Sequence, residues 1–189
     1  TANYEIDTLA PTISGVAISA TGVQNDFVNA GDVVSVTATF SESVIVDNGT
    51  PTLTLILGSV NRSATYVSGS GSRPLVFQYT IQTGDNDSNG ISIGTNALDL
   101  DNATIRDAAG NDATLTHSSV DNNSGYKVDA ILPTIDSVEI TSGTNMLNNF
   151  LNASDAAGSD VVSATVTFSE LVDVTGTPQL TLAIGSDNE

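Results

Sequence analysis

A run of acidic and amide side chains in the middle of the chain has the spacing of a calcium-binding loop. Asp85, Asp87 and Asn89 occupy alternate positions, and Gly90 follows them. This matches the first, third, fifth and sixth positions of an EF-hand loop. Ile91 would then contribute its main-chain carbonyl oxygen. The pattern therefore predicts a Ca²⁺ ion held by this segment.

The same segment departs from the EF-hand pattern where the loop should close. Asn96 stands at the position where an EF-hand has a bidentate Glu. Asp99 or Asp101, or a residue of a following repeat, would have to complete the coordination shell. Because Asp, Asn and Gly also favour turns without any ion, a solvated acidic turn is the alternative.

A second acidic group is predicted from residues that are distant in sequence. Asp107, Asn111 and Asp112 lie in an Asp-x-x-Gly-Asn-Asp segment, which taken alone indicates a plain turn. In an up-and-down order of strands, this turn falls at the same end of the fold as Asp7 and as the loop predicted at residues 41–43, which carries Glu42. Carboxylates brought together repel unless a cation lies among them. We therefore expect a second Ca²⁺ site here.

The elements that must position these side chains are given by an internal repeat. Tyr, Asp, Pro, Thr and Ile of residues 4–13 recur in residues 126–135, at an offset of 122 (126 − 4 = 122). Two further segments return at offsets of 128 and 127 (161 − 33 and 176 − 49): 33–42 as 161–170, and 49–55 as 176–182. A repeat of this kind indicates a tandem array, of which the chain holds about one and a half units.

The repeat predicts a third acidic group where one unit passes into the next. Asp129 and Glu170 occupy the repeat positions of Asp7 and Glu42. Strand order places the loop of residues 85–101 at the same end as Asp129. We expect calcium at this linker to hold neighbouring repeats together.

Period-two alternation of β-branched residues dominates the chain, and helical periodicity is hard to find. Val34, Val36, Ala38 and Phe40 alternate with Ser and Thr, as in a strand with one buried face. The predicted strands of the first unit cover residues 13–19, 33–40, 52–57, 63–67, 75–82, 103–106, 114–116 and 125–128. Short strands separated by Gly, Asn and Asp turns are typical of an immunoglobulin-like β-sandwich.

The predicted fold is thus all-β, with tandem immunoglobulin-like β-sandwich repeats of which one is complete and the second only about half present. Residues 1–7 are interpreted as a linker, 8–128 as the complete repeat and 129–189 as the N-terminal half of the next. Three or four strands cannot close a sandwich, so an apolar face would stand open in the second unit. Its predicted members are Val162, Ala164, Val166 and Phe168, together with Leu180 and Leu182 of a strand predicted over residues 179–184. We expect neighbouring repeats of the array, or another chain that completes residues 129–189, to cover it.

Four motifs together resemble a known class of repeat: the linker Asp-x-x-x-Pro-Thr-Ile, the strand end Val-Thr-Phe-Ser-Glu, the strand Gly-Thr-Pro-x-Leu-Thr-Leu and the turn Asp-Ala-Ala-Gly-Asn. They are similar to the immunoglobulin-like repeats of very large bacterial surface adhesins of RTX type, which are exported by type I secretion. The likeness covers nearly the whole chain. It implies extender repeats of a secreted or cell-surface protein, with calcium at the linkers holding neighbours in line.

Composition limits the partners of this protein. The chain has 4 Lys and Arg against 22 Asp and Glu, a formal net charge of −18. Nucleic acid and anionic membranes need a basic face, so neither is expected as a partner. The absence of cysteine excludes a disulfide framework, so bound cations are the expected source of rigidity.

No combination of residues predicts catalysis. His117 is the single histidine, and neither a cysteine nor a Gly-x-Ser-x-Gly nucleophile accompanies it. Pairs of carboxylates alone would allow a glycosidase, but the chain has no Trp for a sugar platform. We predict that the protein is not an enzyme. A glycan- or protein-binding module, and an immunoglobulin-like spacer of a secreted polysaccharide-degrading enzyme, are the alternatives.

Overall fold

The computed structural model describes residues 5–144 and 161–183, which fold as two compact units, Thr1–Ile131 and Leu132–Glu189. The described residues form strands and turns and no helix, so the fold is all-β. None of them belongs to a helix long and apolar enough to cross a membrane. The two units are described separately below.

Strands of the first unit form a large sheet and a small one. The strands are β1 (Ile13–Ala20), β2 (Phe27–Val28), β3 (Val33–Asp47), β4 (Thr52–Leu57), β5 (Val60–Ser68), β6 (Ser72–Thr80), β7 (Asn86–Asp87), β8 (Leu98–Asp99), β9 (Thr104–Arg106) and β10 (Lys127–Asp129). The large sheet is antiparallel, in the order β1-β3-β6-β5-β4-β8, with β9 also paired to β3. The small sheet has the order β2-β10-β7, and β2 runs parallel to β10.

The alternation seen in the sequence gives this unit its core. In β3 the side chains of Val34, Val36 and Ala38 are fully buried, while the Ser and Thr between them are partly exposed. Phe77 of β6 is also fully buried and meets Tyr66 edge to face, with ring centroids 5.9 Å apart. Burial of a Val, Leu, Ile or Phe side chain in this way stabilises the unit by about 1.5–3 kcal/mol. The two sheets are therefore consistent with a β-sandwich.

Strand β3 is longer than the sequence predicted. Residues 41–43, expected to form a loop, lie inside it, at an irregularity where its register against β6 shifts between Thr39 and Val44. Beyond this bulge Val44 still pairs with Ser72 of β6, and Ile45, Val46 and Asp47 pair with β9. One strand thus serves two neighbours, because a bulge bends the strand and increases its twist.

Smaller differences occur elsewhere in the first unit. The strand predicted at residues 114–116 is reduced to a parallel bridge between Thr114 and Thr12. Strands β2, β7 and β8 have only two residues each and were not predicted. Such short pairings carry too few residues for an alternation to be recognised.

The described part of the second unit is a pair of antiparallel strands, β11 (Ile135–Thr144) and β12 (Val161–Phe168). Its register shifts between Ile135 and Ser137, just as the β1–β3 register shifts between Ile13 and Gly15. A strand was also predicted over residues 179–184. Residues 179–183 form none, and residue 184 lies outside the described residues.

Apolar side chains of the second unit are exposed where their repeat counterparts are covered. Val138 is 51% exposed and Ile140 is 72% exposed, whereas Val16 and Ile18 at the same repeat positions pack against the core of the first unit. The side chains expected to stand open are also partly or largely exposed: Val162, Ala164, Val166, Phe168, Leu180 and Leu182. What covers them is not tested, so a neighbouring repeat or second chain stays a prediction.

Candidate metal centre

Three carboxylates from distant parts of the chain meet at one end of the first unit. Asp7 lies in the segment before β1, Glu42 lies in the bulge of β3, and Asp107 directly follows β9. One oxygen from each lies within 4.8 Å of the other two. Asp7 is exposed, Glu42 is partly buried and Asp107 is 3% exposed. We call these three residues the acidic triad.

Main-chain hydrogen bonds hold the leading segment in this position. The N–H of Thr12 donates to Oγ of Ser41 at 3.1 Å, and the N–H of Ser41 donates back to the carbonyl of Thr12 at 2.8 Å. The N–H of Thr114 donates to the carbonyl of Pro11 at 2.8 Å. Because Ser41 precedes Glu42, the same contact fixes both the segment and the second carboxylate of the triad.

Asp107 is held by the turn that follows it. Its Oδ1 accepts hydrogen bonds from the N–H groups of Gly110 at 2.7 Å and Asn111 at 2.8 Å, and its Oδ2 accepts one from Nδ2 of Asn111 at 2.7 Å. Nδ2 of Asn111 also donates to the main-chain oxygen of Asp7 at 3.2 Å. The Asn111 amide, together with these N–H groups, lowers the pKa of Asp107 despite its burial. The carboxylate of Asp107 is therefore kept ionised and held in one orientation.

The remaining residue predicted for this group has a different place. The side chain of Asp112 is exposed and does not join the triad, and its main chain forms an isolated antiparallel β-bridge with that of Arg106. Asn111 is close to the triad, but its Nδ2 is used to link Asp107 to the leading segment. The structure thus brings together Asp7, Glu42 and Asp107 and gives Asn111 a positioning role.

The triad has the chemistry of a site for a hard divalent cation. Carboxylate oxygens suit Ca²⁺ and Mg²⁺, whereas zinc sites use His and Cys as a rule. Ca²⁺ takes about six to eight oxygens, so main-chain carbonyls and water would supply the rest. Among the residues that the structure describes, no other group of three or more acidic or histidine side chains comes this close together. The triad could therefore hold a metal ion.

In the loop predicted to resemble an EF-hand, Asp85 is occupied by protein donors. Its Oδ1 accepts a hydrogen bond from Nε of Arg62 at 2.8 Å and forms an ion pair with Nη2 of the same side chain at 2.6 Å. Its Oδ2 accepts the hydroxyl of Tyr79 at 2.7 Å and the N–H of Gln82 at 3.0 Å. Burial acts to raise the pKa of Asp85, but these hydrogen bonds outweigh it and lower the pKa. Burial and the bond to Asp85 raise the pKa of Tyr79 to about 12.

The other predicted ligands of this loop belong to separate contacts. Oδ1 of Asp87, a buried side chain, accepts the N–H groups of Asn89 at 3.1 Å and Gly90 at 2.9 Å. The carbonyl of Ile91 accepts the N–H of Asn123 at 3.1 Å. The Asn89 side chain is exposed. These bonds form a closed turn, and calcium in this loop stays a prediction.

The residues proposed to close that loop form a local turn of their own. Asp99 and Asp101 are both exposed, and Oδ1 of Asp99 accepts the N–H of Asp101 at 2.8 Å. Asp101 has a positive φ of 43°, a conformation that Asp and Asn tolerate better than most residues. The pair is thus accounted for by turn geometry.

The predicted linker ligands Asp129 and Glu170 lie in different units. Oδ1 of Asp129 accepts the N–H of Ile131 at 3.2 Å, which repeats the bond from Leu9 to Asp7 at 3.1 Å. In the second unit, Oε1 of Glu170 is buried and has no hydrogen-bond partner among the described residues. A calcium ion that uses both residues stays a prediction.

Two residues of the Asp85 network were not predicted, namely Arg62 and Tyr79. Arg62 is separated from Asp85 by 23 residues. The one available signal is its rarity, because a chain with 4 basic residues and a charge of −18 is expected to pair a buried carboxylate with one of them. The sequence offers no means of choosing which one.

His117 lies in a groove beside the free edge of β1. The groove has a volume of about 750 Å³ and is lined by Ile13, Ser14, Gly15, Val16, Thr95, Asn96, Thr116, His117, Ser118, Ser119 and Val120. Nε2 of His117 accepts the N–H of Ala97 at 2.8 Å, and Nδ1 lies 2.8 Å from the carbonyl of Ser118. These contacts fit the tautomer with its proton on Nδ1. Both ring nitrogens are therefore engaged within the protein.

The geometry of the triad is the principal guide to function. Comparison of the chain with protein-family models, with curated proteins and with solved structures finds no match.

Proposed function

We propose that this chain is a structural extender, built from tandem immunoglobulin-like β-sandwich repeats of a secreted or cell-surface bacterial adhesin and stiffened by calcium. The acidic triad is the observation that carries the proposal. Its members Glu42 and Asp107 belong to the folded unit, whereas Asp7 belongs to the segment that enters it. A cation bound by all three would fasten the linker to the repeat.

The internal repeat supports the tandem part of the proposal. In the second unit the N–H of Thr134 donates to Oγ of Ser169 at 3.0 Å, and the N–H of Ser169 donates to the carbonyl of Thr134 at 2.9 Å. The same reciprocal pair joins Thr12 and Ser41 in the first unit. Both units thus receive the incoming chain with one set of contacts, as expected of modules joined in series.

Electrostatics explain why the fastening would depend on a cation. Three carboxylates within 4.8 Å of one another repel, and a chain of net charge −18 adds to that repulsion. A divalent ion reverses the sign of the interaction. Since an ion that binds the folded state stabilises it by mass action, calcium would both order the leading segment and stabilise the unit.

Calorimetric titration of the full chain with CaCl₂ tests the proposal. Glu42→Gln keeps the size of the side chain and removes one charge of the triad. Glu139→Gln is the matched control, because Glu139 is exposed on β11. We expect Glu42→Gln to weaken calcium affinity by about tenfold or more, an effect of at least about 1.4 kcal/mol, and the control to bind as the parent chain. Absence of binding, or equal binding by both variants, would reject the triad as the site.

A protein-binding module is a second candidate, favoured by the groove beside β1. Hydroxyl and amide side chains line it together with a free strand edge, and no Phe, Tyr or Trp is among its lining residues. A free edge can accept an added strand, whereas a sugar site usually has an aromatic platform. Filling the groove by Ser118→Tyr would abolish capture of a peptide ligand and leave calcium affinity unchanged.

A further inference from the structure

The chain contains two Asn-Gly pairs, Asn48-Gly49 and Asn89-Gly90. In such a pair the main-chain nitrogen of Gly can attack the side-chain carbonyl carbon of the preceding Asn, because Gly has no Cβ to obstruct the approach. The reaction requires an accessible Asn side chain and a Gly N–H that is free of other partners. The structure gives the two pairs opposite environments.

Asn48-Gly49 is open to the reaction. It follows the end of β3 at Asp47, and both residues are exposed. Asn48 has a φ of 64°, which marks a turn. Within the described residues neither the Gly49 N–H nor the Asn48 side chain has a hydrogen-bond partner.

Asn89-Gly90 is closed to the reaction. The N–H of Gly90 donates to Oδ1 of Asp87 at 2.9 Å, and the N–H of Asn89 donates to the same oxygen at 3.1 Å. Gly90 is buried, and the main chain of Asn123 closes over it where a side chain would otherwise stand. The attacking nitrogen of Gly90 is therefore hydrogen-bonded to a carboxylate and buried, whereas that of Gly49 is exposed and has no such bond in the described part of the chain.

We propose that Asn48 is a site of spontaneous deamidation and that Asn89 is protected from it by Asp87. The nitrogen of Gly49 loses its proton and bonds to Cγ of Asn48, while the Cγ–Nδ2 bond breaks and ammonia leaves. Water then opens the succinimide ring at either carbonyl and gives aspartate or isoaspartate. The only co-reactant is water, and the net charge goes from −18 to −19 (−18 − 1).

The modified turn touches the strand that leads to the acidic triad. A Cβ on Gly49 would lie 2.6 Å from the main-chain nitrogen of Ala103, so this turn rests directly on the residue before β9. Asp107 follows β9 immediately. Isoaspartate adds one atom to the main chain at Asn48, and the lengthened turn would loosen the pairing between β3 and β9.

Peptide mapping by mass spectrometry tests this inference on the full chain. The protein is aged at neutral pH and physiological temperature, and the fraction of each Asn-Gly pair converted is followed with time. In the folded protein we expect Asn48 to react roughly tenfold or more faster than Asn89, because structural protection suppresses the second reaction. In concentrated denaturant the two rates should become similar, which shows that the difference comes from the fold.

Two variants sharpen the test. Asn48→Gln should remove the fast reaction, because glutamine cyclises far more slowly. Asp87→Ala frees the N–H of Gly90 and should speed the reaction at Asn89 without changing that at Asn48. If Asp87→Ala unfolds, its rates will equal those of the denatured parent, and the comparison in the parent chain still decides. Equal rates in the folded parent chain, or an unreacted Asn48 while the denatured chain converts, would overturn the inference.

Discussion

The hydroxyl of Tyr79 donates to Oδ2 of Asp85 at 2.7 Å, and the carboxylate that receives it is 3% exposed. Replacing Tyr79 by Phe keeps the ring and removes this donor. Because the acceptor is charged and buried, we expect Tyr79→Phe to lower the free energy of unfolding by about 1.5–3 kcal/mol. Urea denaturation followed by circular dichroism measures the change.

Tyr126→Phe is the matched control for that substitution. Tyr126 is also partly buried, and its hydroxyl has no hydrogen bond among the described residues. We expect its removal to change stability by no more than about 0.5 kcal/mol. Equal effects of the two substitutions would show that the bond to Asp85 contributes nothing specific.

Stability should fall in acid, because two buried carboxylates have lowered pKa values. The pKa values of Asp85 and Asp107 lie below the ordinary 3.8 in the folded chain. A group whose pKa is lowered by folding contributes stability that is full above the unfolded value and is lost as the pH falls through the folded value. We expect the urea midpoint to decline once the pH falls to about 4 and below. Asp107→Asn should make the urea midpoint fall less steeply in acid. Asp121→Asn, at an exposed carboxylate, is the control and should leave the slope as it is in the parent chain.

Alanine substitutions at two glycines with positive φ allow the cost of backbone strain to be compared with the cost of steric overlap. Gly110 has a φ of 98° and open space where a Cβ would stand, so Gly110→Ala should cost only the left-handed strain, about 1–2 kcal/mol. Gly90 has a φ of 101° and the backbone of Asn123 against it, so Gly90→Ala adds an overlap worth about 1–3 kcal/mol. Thermal unfolding of both variants checks the order, and a costlier Gly110→Ala would contradict it.

Removing calcium should release the leading segment if the triad binds it. Hydrogen exchange of the Leu9 and Thr12 amides should speed up when a chelator is added, because the Leu9 amide donates to Asp7 of the triad and the Thr12 amide donates to Ser41 beside Glu42. Amides of β6 should stay protected, since the core does not depend on the ion. Unchanged exchange at Leu9 and Thr12 in a chain that has bound calcium would contradict the proposed fastening.

The exposed apolar side chains of the second unit should drive association. Contiguous exposed apolar patches mark interaction surfaces, and Ile135, Val138 and Ile140 are 60%, 51% and 72% exposed. We expect the weight-average mass in sedimentation equilibrium to rise with concentration, and Val138→Thr with Ile140→Thr to reduce the rise. Val60→Thr, at a side chain of the first unit that is 44% exposed, is the control. A monomer at all concentrations with the second unit folded would refute the expectation.

Strand order was sufficient to predict that Asp7, Glu42 and Asp107 lie at the same end of the first unit. Successive strands that run in opposite directions bring every second connection to the end of the fold where Asp7 lies. Glu42 and Asp107 could therefore be placed beside Asp7 without coordinates. The same reasoning placed residues 85–101 near Asp129, and the carbonyl of Asp85 does accept the N–H of Ala130 at 2.9 Å. Relationships that depend only on strand direction were thus accessible from sequence.

The environment of Asp85 was not accessible in the same way. The spacing of Asp85, Asp87 and Asn89 is a local pattern, whereas the side-chain partners of Asp85 come from two strands of the large sheet, β5 and β6. Pairing across a sheet depends on register, which alternation alone leaves undetermined. For the same reason, the bulge that carries Glu42 inside β3 was interpreted as a loop.

The two ends of the first unit impose a direction on any load that it carries. The chain enters beside the pair Ile13–Phe40 and leaves after β10, where the carbonyl of Ala130 accepts the N–H of Gly84 at 2.8 Å. Gly84 comes four residues after Thr80, which pairs with Val33 at the start of β3. Tension between these ends therefore runs along the axes of β1 and β3. Six consecutive residue pairs, from Gly15–Thr39 to Ala20–Val34, join β1 to β3, and their hydrogen bonds are perpendicular to this force. They are loaded in shear, so their hydrogen bonds must fail together rather than one after another.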